Sequence, residues 1–312
     1  MLREFKTLPQ LFDFFREQET CVTYWEAIRW YDGVECPHCE AKGGYKTNRG
    51  YKCRNVECQK KFTALVGTIF ESTKIPLRTW FAAMWLCANH KKGISSLQLA
   101  KDLGITQKSA WFLLHRIREV MMEQAPEQIG GDQTIVEVDT TVVGGKTKNM
   151  SKKKRKEIVD RTRGSWQNKT SVTGIIERNG KMRMIVITGE QSEAEIVRNH
   201  IHPDSVLMSD TSQKIRKVGQ EFLHHATVDH SKEEYAKNKT VHTNTIEGIF
   251  SHFDRMVIGT YHNLSPKHMQ AYANEFSYRH NGRRISTSAL FAETIAQCDD
   301  RRLTYNRLIG KN

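Results

Sequence analysis

Residues 134–145 read TIVEVDTTVVGG. A run of Ile, Val and Thr like this is a β-strand that will be mostly buried, yet Glu137 and Asp139 sit in its middle. Alternation along a strand puts Ile135, Glu137, Asp139 and Thr141 on one face and Val136, Val138, Thr140 and Val142 on the other. A carboxylate buried without a partner is strongly destabilising, so Asp139 requires a cation, a hydrogen-bond network or a metal ion. Glu137, on the same face, is expected to reach the strand end and solvent, and ranks as a lesser candidate.

Outward from this strand, TSVTGIIERNG and KMRMIVITG form two more β segments, joined by an RNGK turn of hairpin type. A helix follows around SEAEIVRNHI, then a strand SVLMSD, a helix near SQKIRKVGQ, a strand EFLHHATV, and a helical TNTIEGIFSHFDRMV. Three strands followed by alternating helix and strand is the order of the α/β RNase H-like fold. Its acids fall on the first strand, at the end of the fourth and on a late helix. Here those places hold Asp139, Asp210 and, 37 residues further on, Glu247. Hard oxygen ligands that leave open positions suit magnesium or manganese, and two such ions can drive an in-line phosphodiester displacement. Ordinary readings compete: Asp210 as a turn or helix cap, and Asn244 with Glu247 as an N-x-x-E capping box. A strand interior offers Asp139 no such cap.

The amino-terminal half has a different texture. CPHCEAKGGYKTNRGYKCRNVEC contains Cys36-x2-Cys39, thirteen intervening residues, and Cys53-x4-Cys58. This is the arrangement of a zinc ribbon, two knuckles brought together by a hairpin, with Gly43, Gly44 and Gly50 at the turns. So small a ribbon has too few apolar residues to fold unaided, which makes the zinc structural. Cys21, Cys87 and Cys298 read as core residues. Leu8, Leu11, Phe12 and Phe15 keep helical spacing, YWEAIRW suggests a second helix beside the ribbon, and Pro76 starts a third. In SSLQLAKDLGITQKSAWFLLHRIREVMME, two short helices break at Gly104. Leu99, Ala100, Leu103, Ile105, Ala110 and Leu113 are spaced as the inner face of a helix-turn-helix or of another three-helix bundle. In the first case Gln107, Lys108, Ser109 and Trp111 open the recognition helix.

With 312 residues, 38% hydrophobic, the chain has room for several domains with real cores, and its net charge of +13 favours a polyanionic partner, nucleic acid before membrane. No apolar run approaches a membrane span, and acids fall too early for a signal peptide, so a cytoplasmic protein is expected. Lys152, Lys153, Lys154 and Arg155 lie in a basic stretch, 146–165, suited to phosphate contacts, and Trp166 follows it. The expected organisation is multidomain: amino-terminal helices plus zinc ribbon over 1–70, a helix-turn-helix domain over 71–128, the RNase H-like domain over 129–285, and a helical segment over 286–312.

RWYDGVECPHC, VEVDTTVVGGK, VHTNTIEGIFSHFDR, GTYHNLSPKHMQAYANEFSYRHNGR and RRLTYNRLI together resemble bacterial insertion-sequence transposases with an amino-terminal zinc ribbon and a DDE catalytic domain, the group related to eukaryotic Merlin elements. The resemblance covers nearly the whole chain. It implies that Asp139, Asp210 and Glu247 are a catalytic triad holding two magnesium or manganese ions. The activity implied is cleavage at transposon ends and joining of the 3′ hydroxyls to target DNA, by a nucleoid-associated homodimer or larger synaptic assembly on double-stranded DNA. The ribbon and helix-turn-helix would recognise terminal inverted repeats. His230, His242, Asn244 and His262 match family positions that orient DNA or waters. One position departs: where relatives carry Lys, seven residues after the third acid, this chain has Asp254 followed by Arg255. Either Arg255 takes over the phosphate contact, or Asp254 joins the metal site, or the copy is impaired. The rival readings are a DNA-binding regulator with an inactive transposase-derived domain and an RNase H-like nuclease or junction resolvase.

Overall fold

A computed structural model describes residues 3–145, 151–153, 156, 169–189, 191–210, 213–228 and 241–311. The chain divides into two compact units, Met1–Met121 with Arg284–Asn312, and Met122–Arg283. Lys154, Arg155, Trp166 and His230 lie outside the described residues.

The first unit begins with α1 (Leu8–Phe14), capped by the Thr7 side chain, and α2 (Gln18–Arg29). A small antiparallel sheet follows, β1 (Gly44–Thr47), β2 (Gly50–Cys53) and β3 (Lys61–Phe62). Gly44, expected at a turn, opens β1 instead, while Gly50 has a positive φ of 112°. A Cβ on Gly50 would lie 2.4 Å from the Phe62 carbonyl oxygen, so only glycine lets β3 close on the hairpin. Three helices come next: α3 (Leu77–Asn89), α4 (Ser96–Leu103) and α5 (Gln107–Val120). Gly104 ends α4 in the left-handed conformation, and the Thr106 side chain caps α5 two residues later. Leu99, Ala110 and Leu113 are buried between these helices. Cys21, Cys87 and Cys298 are buried as well.

The second unit is built on a five-stranded sheet whose members are β4 (Ile135–Val143), β5 (Thr170–Glu177), β6 (Met182–Val186), β7 (Val206–Asp210) and β8 (His224–Val228). The spatial order is β6-β5-β4-β7-β8. The first three strands pair antiparallel, and β7 and β8 join β4 in parallel. Parallel pairing requires crossovers, which here run through α6 (Glu193–His200) and α7 (Gln213–Gly219). Val136, Val138, Ile175 and Leu207 pack with Ile196, Val197 and Val218 of these helices on one side of the sheet. α8 (Asn244–Met256) and α9 (Met269–Asn281) cover the other side, where Val172, Ile176 and Met184 meet Ile246, Ile249, Phe250, Phe253 and Phe276. A π-helical turn (Val257–Tyr261) extends α8.

After α9 the chain returns to the first unit. α10 (Thr287–Ala296) adds Phe291 to the aromatic cluster of Phe5 and Phe81. α11 (Tyr305–Ile309) sets the Tyr305 ring against Phe112 of α5, 5.6 Å between centroids. The segment 286–312, set apart in the sequence reading, is therefore part of this unit's packing.

Candidate active site and cysteine cluster

Asp139 and Asp210 come together through strand register. β4 and β7 run parallel with Val138 beside Ser209. The next residues on the two strands are Asp139 and Asp210, which alternation turns toward the same face of strands about 4.8 Å apart. That face is the one α8 covers. Asp139 is paired across to Gly174 on β5, and a Cβ there would lie 2.6 Å from Ile246 Cδ1 and 2.8 Å from Phe250 Cε1. The missing side chain at 174 thus lets α8 seat against the sheet next to Asp139, with Glu247 the residue after Ile246.

The electrostatics register this grouping. Asp139 is pushed up from 3.8 to about 6, first by burial and then by the negative charges of Asp210, Glu247 and Glu193, against the pull of the Thr140 backbone N–H. That N–H donates to Asp139 Oδ1 at 2.7 Å. Glu193 was not anticipated from the sequence. It is the first residue of α6, directly after the Ser192 cap, and accepts the Thr140 hydroxyl. Only the neighbourhood of Thr140 to Asp139 hinted at it.

The capping box that competed as an ordinary reading of Asn244 and Glu247 does not form. Thr243, not Asn244, is the N-cap of α8, and its hydroxyl donates to Glu247 Oε1 at 3.3 Å. Asn244 is exposed in the first turn. Glu137 corrects the sequence reading outright: instead of reaching solvent it is 0% exposed. It accepts Arg178 Nε at 2.6 Å, the Thr245 N–H and hydroxyl at 2.9 Å each, and the Ile246 N–H at 3.1 Å.

Asp254 and Arg255 are exposed, and partial burial raises the Asp254 carboxyl above its usual value. His262, exposed and with a positive φ of 59°, closes the π-helical turn. At about 1.5 Å per helical residue it lies some ~20 Å along the axis from Glu247. Lys152 and Lys153 are exposed. Gln107 and Lys108 are exposed at the start of α5, where Gln107 Nε2 donates to Ser96 Oγ at 3.0 Å and Lys108 Nζ stands 5.4 Å from the Tyr305 ring centre. The Ser109 backbone N–H donates to Thr106 Oγ1 at 3.2 Å.

The four cysteines form a second centre. Sγ atoms of Cys36 and Cys58 are 3.9 Å apart, and those of Cys39 and Cys53 3.6 Å. A tetrahedron of thiolates about 2.3 Å from a zinc ion has edges of about 3.8 Å, so the donor set fits one such ion. The Asn55 N–H donates to Cys53 Sγ at 3.3 Å, and the Ala41 N–H is the main cause lowering the Cys39 thiol to about 7. Among the described residues this is the one group of three or more His, Cys, Asp or Glu whose ligand atoms all lie within 4.8 Å of one another. The carboxylates are grouped more loosely.

Residues 130–281 match the ISXO2-like transposase domain. Over 273 residues, 81% of this chain and 87% of the relative, the sequence is 24% identical to an uncharacterised protein in transposable element ISH50 of Halobacterium salinarum. The unit built on the five-stranded sheet therefore carries the ISXO2-like transposase domain, and this match together with the relative supports an insertion-sequence transposase. No described helix is long and apolar enough to cross a membrane.

Proposed function

We propose that the protein binds the terminal inverted repeats of its element, cuts the ends in a metal-dependent step and joins the freed 3′ hydroxyls to target DNA. What supports this reading is the parallel register of β4 and β7, which runs to Val138 beside Ser209 with Asp139 and Asp210 next on each strand, together with the charges of Asp210 and Glu247 that raise Asp139. The strand order, three antiparallel strands followed by two parallel ones, supports an RNase H-like assignment. When bound, divalent ions supply the activated hydroxyl or water and the stabilised leaving oxygen of an in-line displacement. Asp139, Asp210 and Glu247 would supply the oxygen donors that hold those ions. β4 and β7 fix the first two rigidly, and α8 brings the third across the same sheet face.

DNA recognition is assigned to the first unit. Zinc in the Cys36, Cys39, Cys53 and Cys58 cluster would keep the ribbon folded, and α4 and α5 would act as a helix-turn-helix with Gln107, Lys108 and Ser109 at the amino end of the recognition helix. Lys152, Lys153, Lys154, Arg155 and Arg255 would neutralise backbone phosphates. Asn244, His230 and His262 remain supporting residues in this reading, as do pairing of two ends in a dimer or larger assembly and association with the nucleoid.

The test is incubation with labelled end DNA and magnesium or manganese. Nicked and joined strands are expected, absent in Glu247→Gln. Binding without nicking would return the regulator with an inactive domain, and cuts without joined products would return a simple nuclease.

A further inference from the structure

Glu137 lies two residues before Asp139 on the same face of β4, and its carboxylate is enclosed by donors from three segments. Arg178, which follows β5, contributes Nε at 2.6 Å. The first turn of α8 contributes the backbone N–H groups of Thr245 and Ile246 and the Thr245 hydroxyl. His242, just before α8, brings Nδ1 to 3.4 Å. Arg178 closes the ring by donating Nη2 to the His242 carbonyl oxygen at 2.9 Å. Its own backbone N–H is tied to the Ile135 carbonyl at 2.9 Å.

We propose that Glu137 is a positioning residue for the metal-dependent reaction: one buried carboxylate ties the first turn of α8 to β4 and so sets Glu247 at a fixed place relative to Asp139. This rests on the reading of Asp139, Asp210 and Glu247 as metal-holding acids. The physical case is specific. The first N–H groups of a helix have no partner within it, and a carboxylate accepting two of them makes charge-assisted bonds aligned with the helix dipole. Thr245 and Ile246 immediately precede Glu247, so a shift at Glu137 passes into that side chain without any loop to absorb it. Asp139 is displaced from Glu137 by a single strand repeat. The carboxylate therefore spans the two elements whose relative position decides whether the acids can share metal ions, and Arg178 and His242 fill its remaining sides.

The experiment uses the full chain with zinc in place and compares wild type, Glu137→Gln and Thr245→Val. Manganese affinity is read by electron paramagnetic resonance, end-DNA nicking by single-turnover kinetics, and amide exchange of residues 241–250 by mass spectrometry. Glu137→Gln should weaken manganese binding and slow nicking by about 10–100-fold, the range for partners that orient metal ligands. Its end-DNA affinity should be unchanged and its 241–250 amides should exchange faster. Thr245→Val removes one donor and should show the same pattern at a smaller size, roughly 3–10-fold, which keeps the test decisive if Glu137→Gln does not fold. Wild-type manganese affinity and exchange in folded Glu137→Gln, or in Thr245→Val if the first variant is unfolded, would overturn the proposal. If wild type neither binds manganese nor nicks DNA, the metal-holding reading falls, and the positioning proposal with it. Faster exchange in Glu137→Gln would then leave a purely structural tie between β4 and α8.

Discussion

Replacing Gly174 by alanine tests the seating of α8 directly. The added Cβ would stand 2.6 Å from Ile246 Cδ1, 2.8 Å from Phe250 Cε1 and 3.0 Å from Phe250 Cζ. Carbon atoms prefer about 3.7 Å, so the helix must give by about 1 Å or the side chains must turn. Ile246 Cδ1 can turn, whereas the Phe250 ring is 8% exposed and packed among Ile249, Phe253 and the sheet. Overpacking of this kind costs about 1–3 kcal/mol, offset by about 0.5–1 kcal/mol from removing a glycine from a strand. The net loss of roughly 1–2 kcal/mol, in a unit of about 160 residues, lowers Tm by about 2–8 °C. The kinetic effect should exceed the stability effect, because a misplacement of about 1 Å at a reacting centre costs about 100-fold in rate. Calorimetry and single-turnover nicking of end DNA at saturating protein measure both. Ile246→Val in the same background removes Cδ1 and should recover part of the rate, the coupling expected of touching residues. A Gly174→Ala protein with wild-type Tm and wild-type nicking would refute the close approach of α8 to β5, and with it the account of how Glu247 reaches Asp139.

Asp139 yields a pH prediction whose sign follows from its raised value. The folded protein holds this proton more tightly than the unfolded chain, since about 6 lies above 3.8; the stabilisation is complete below about pH 4 and lost as pH rises through 6. Without divalent ions, Asp139→Asn should therefore raise stability at pH 8 by up to ~3 kcal/mol, and with it Tm, and leave both unchanged at pH 4; a lower Tm at pH 8 contradicts the reading. One zinc per chain is expected by elemental analysis, and Cys53→Ser should release it and make 36–62 sensitive to protease; full zinc content in that variant would count against the cluster. Lys152→Ala with Lys153→Ala should weaken binding equally across DNA sequences and reduce the salt slope by about two units. A loss confined to one sequence would instead assign these lysines to base recognition.

The sheet was legible because its signals are local. Period-two apolar runs and the RNGK turn each specify an element within about ten residues, and the structure carries both. Cysteine spacing was legible for the same reason, since a hairpin brings the two knuckles together with little freedom. Glu137 was misread because the sequence offered it solvent, while its actual partners are Arg178, 41 residues on, and Thr245, 108 residues on. The N-x-x-E pattern at Asn244, one of the ordinary readings weighed for Glu247, is local too, but Thr243 takes the cap position and α8 begins at Asn244. Parity still held information that went unused. Glu137 and Asp139 share a face, so whatever helix covers one must approach the other, and a wholly buried carboxylate there can persist only by capturing that helix's unpaired N–H groups. Gly174 makes the same point from the neighbouring strand: a glycine in the middle of an otherwise β-branched run marks a close approach of backbone. Combining the two signals with the β4–β5 pairing suffices to dock the helix bearing Glu247 over Asp139.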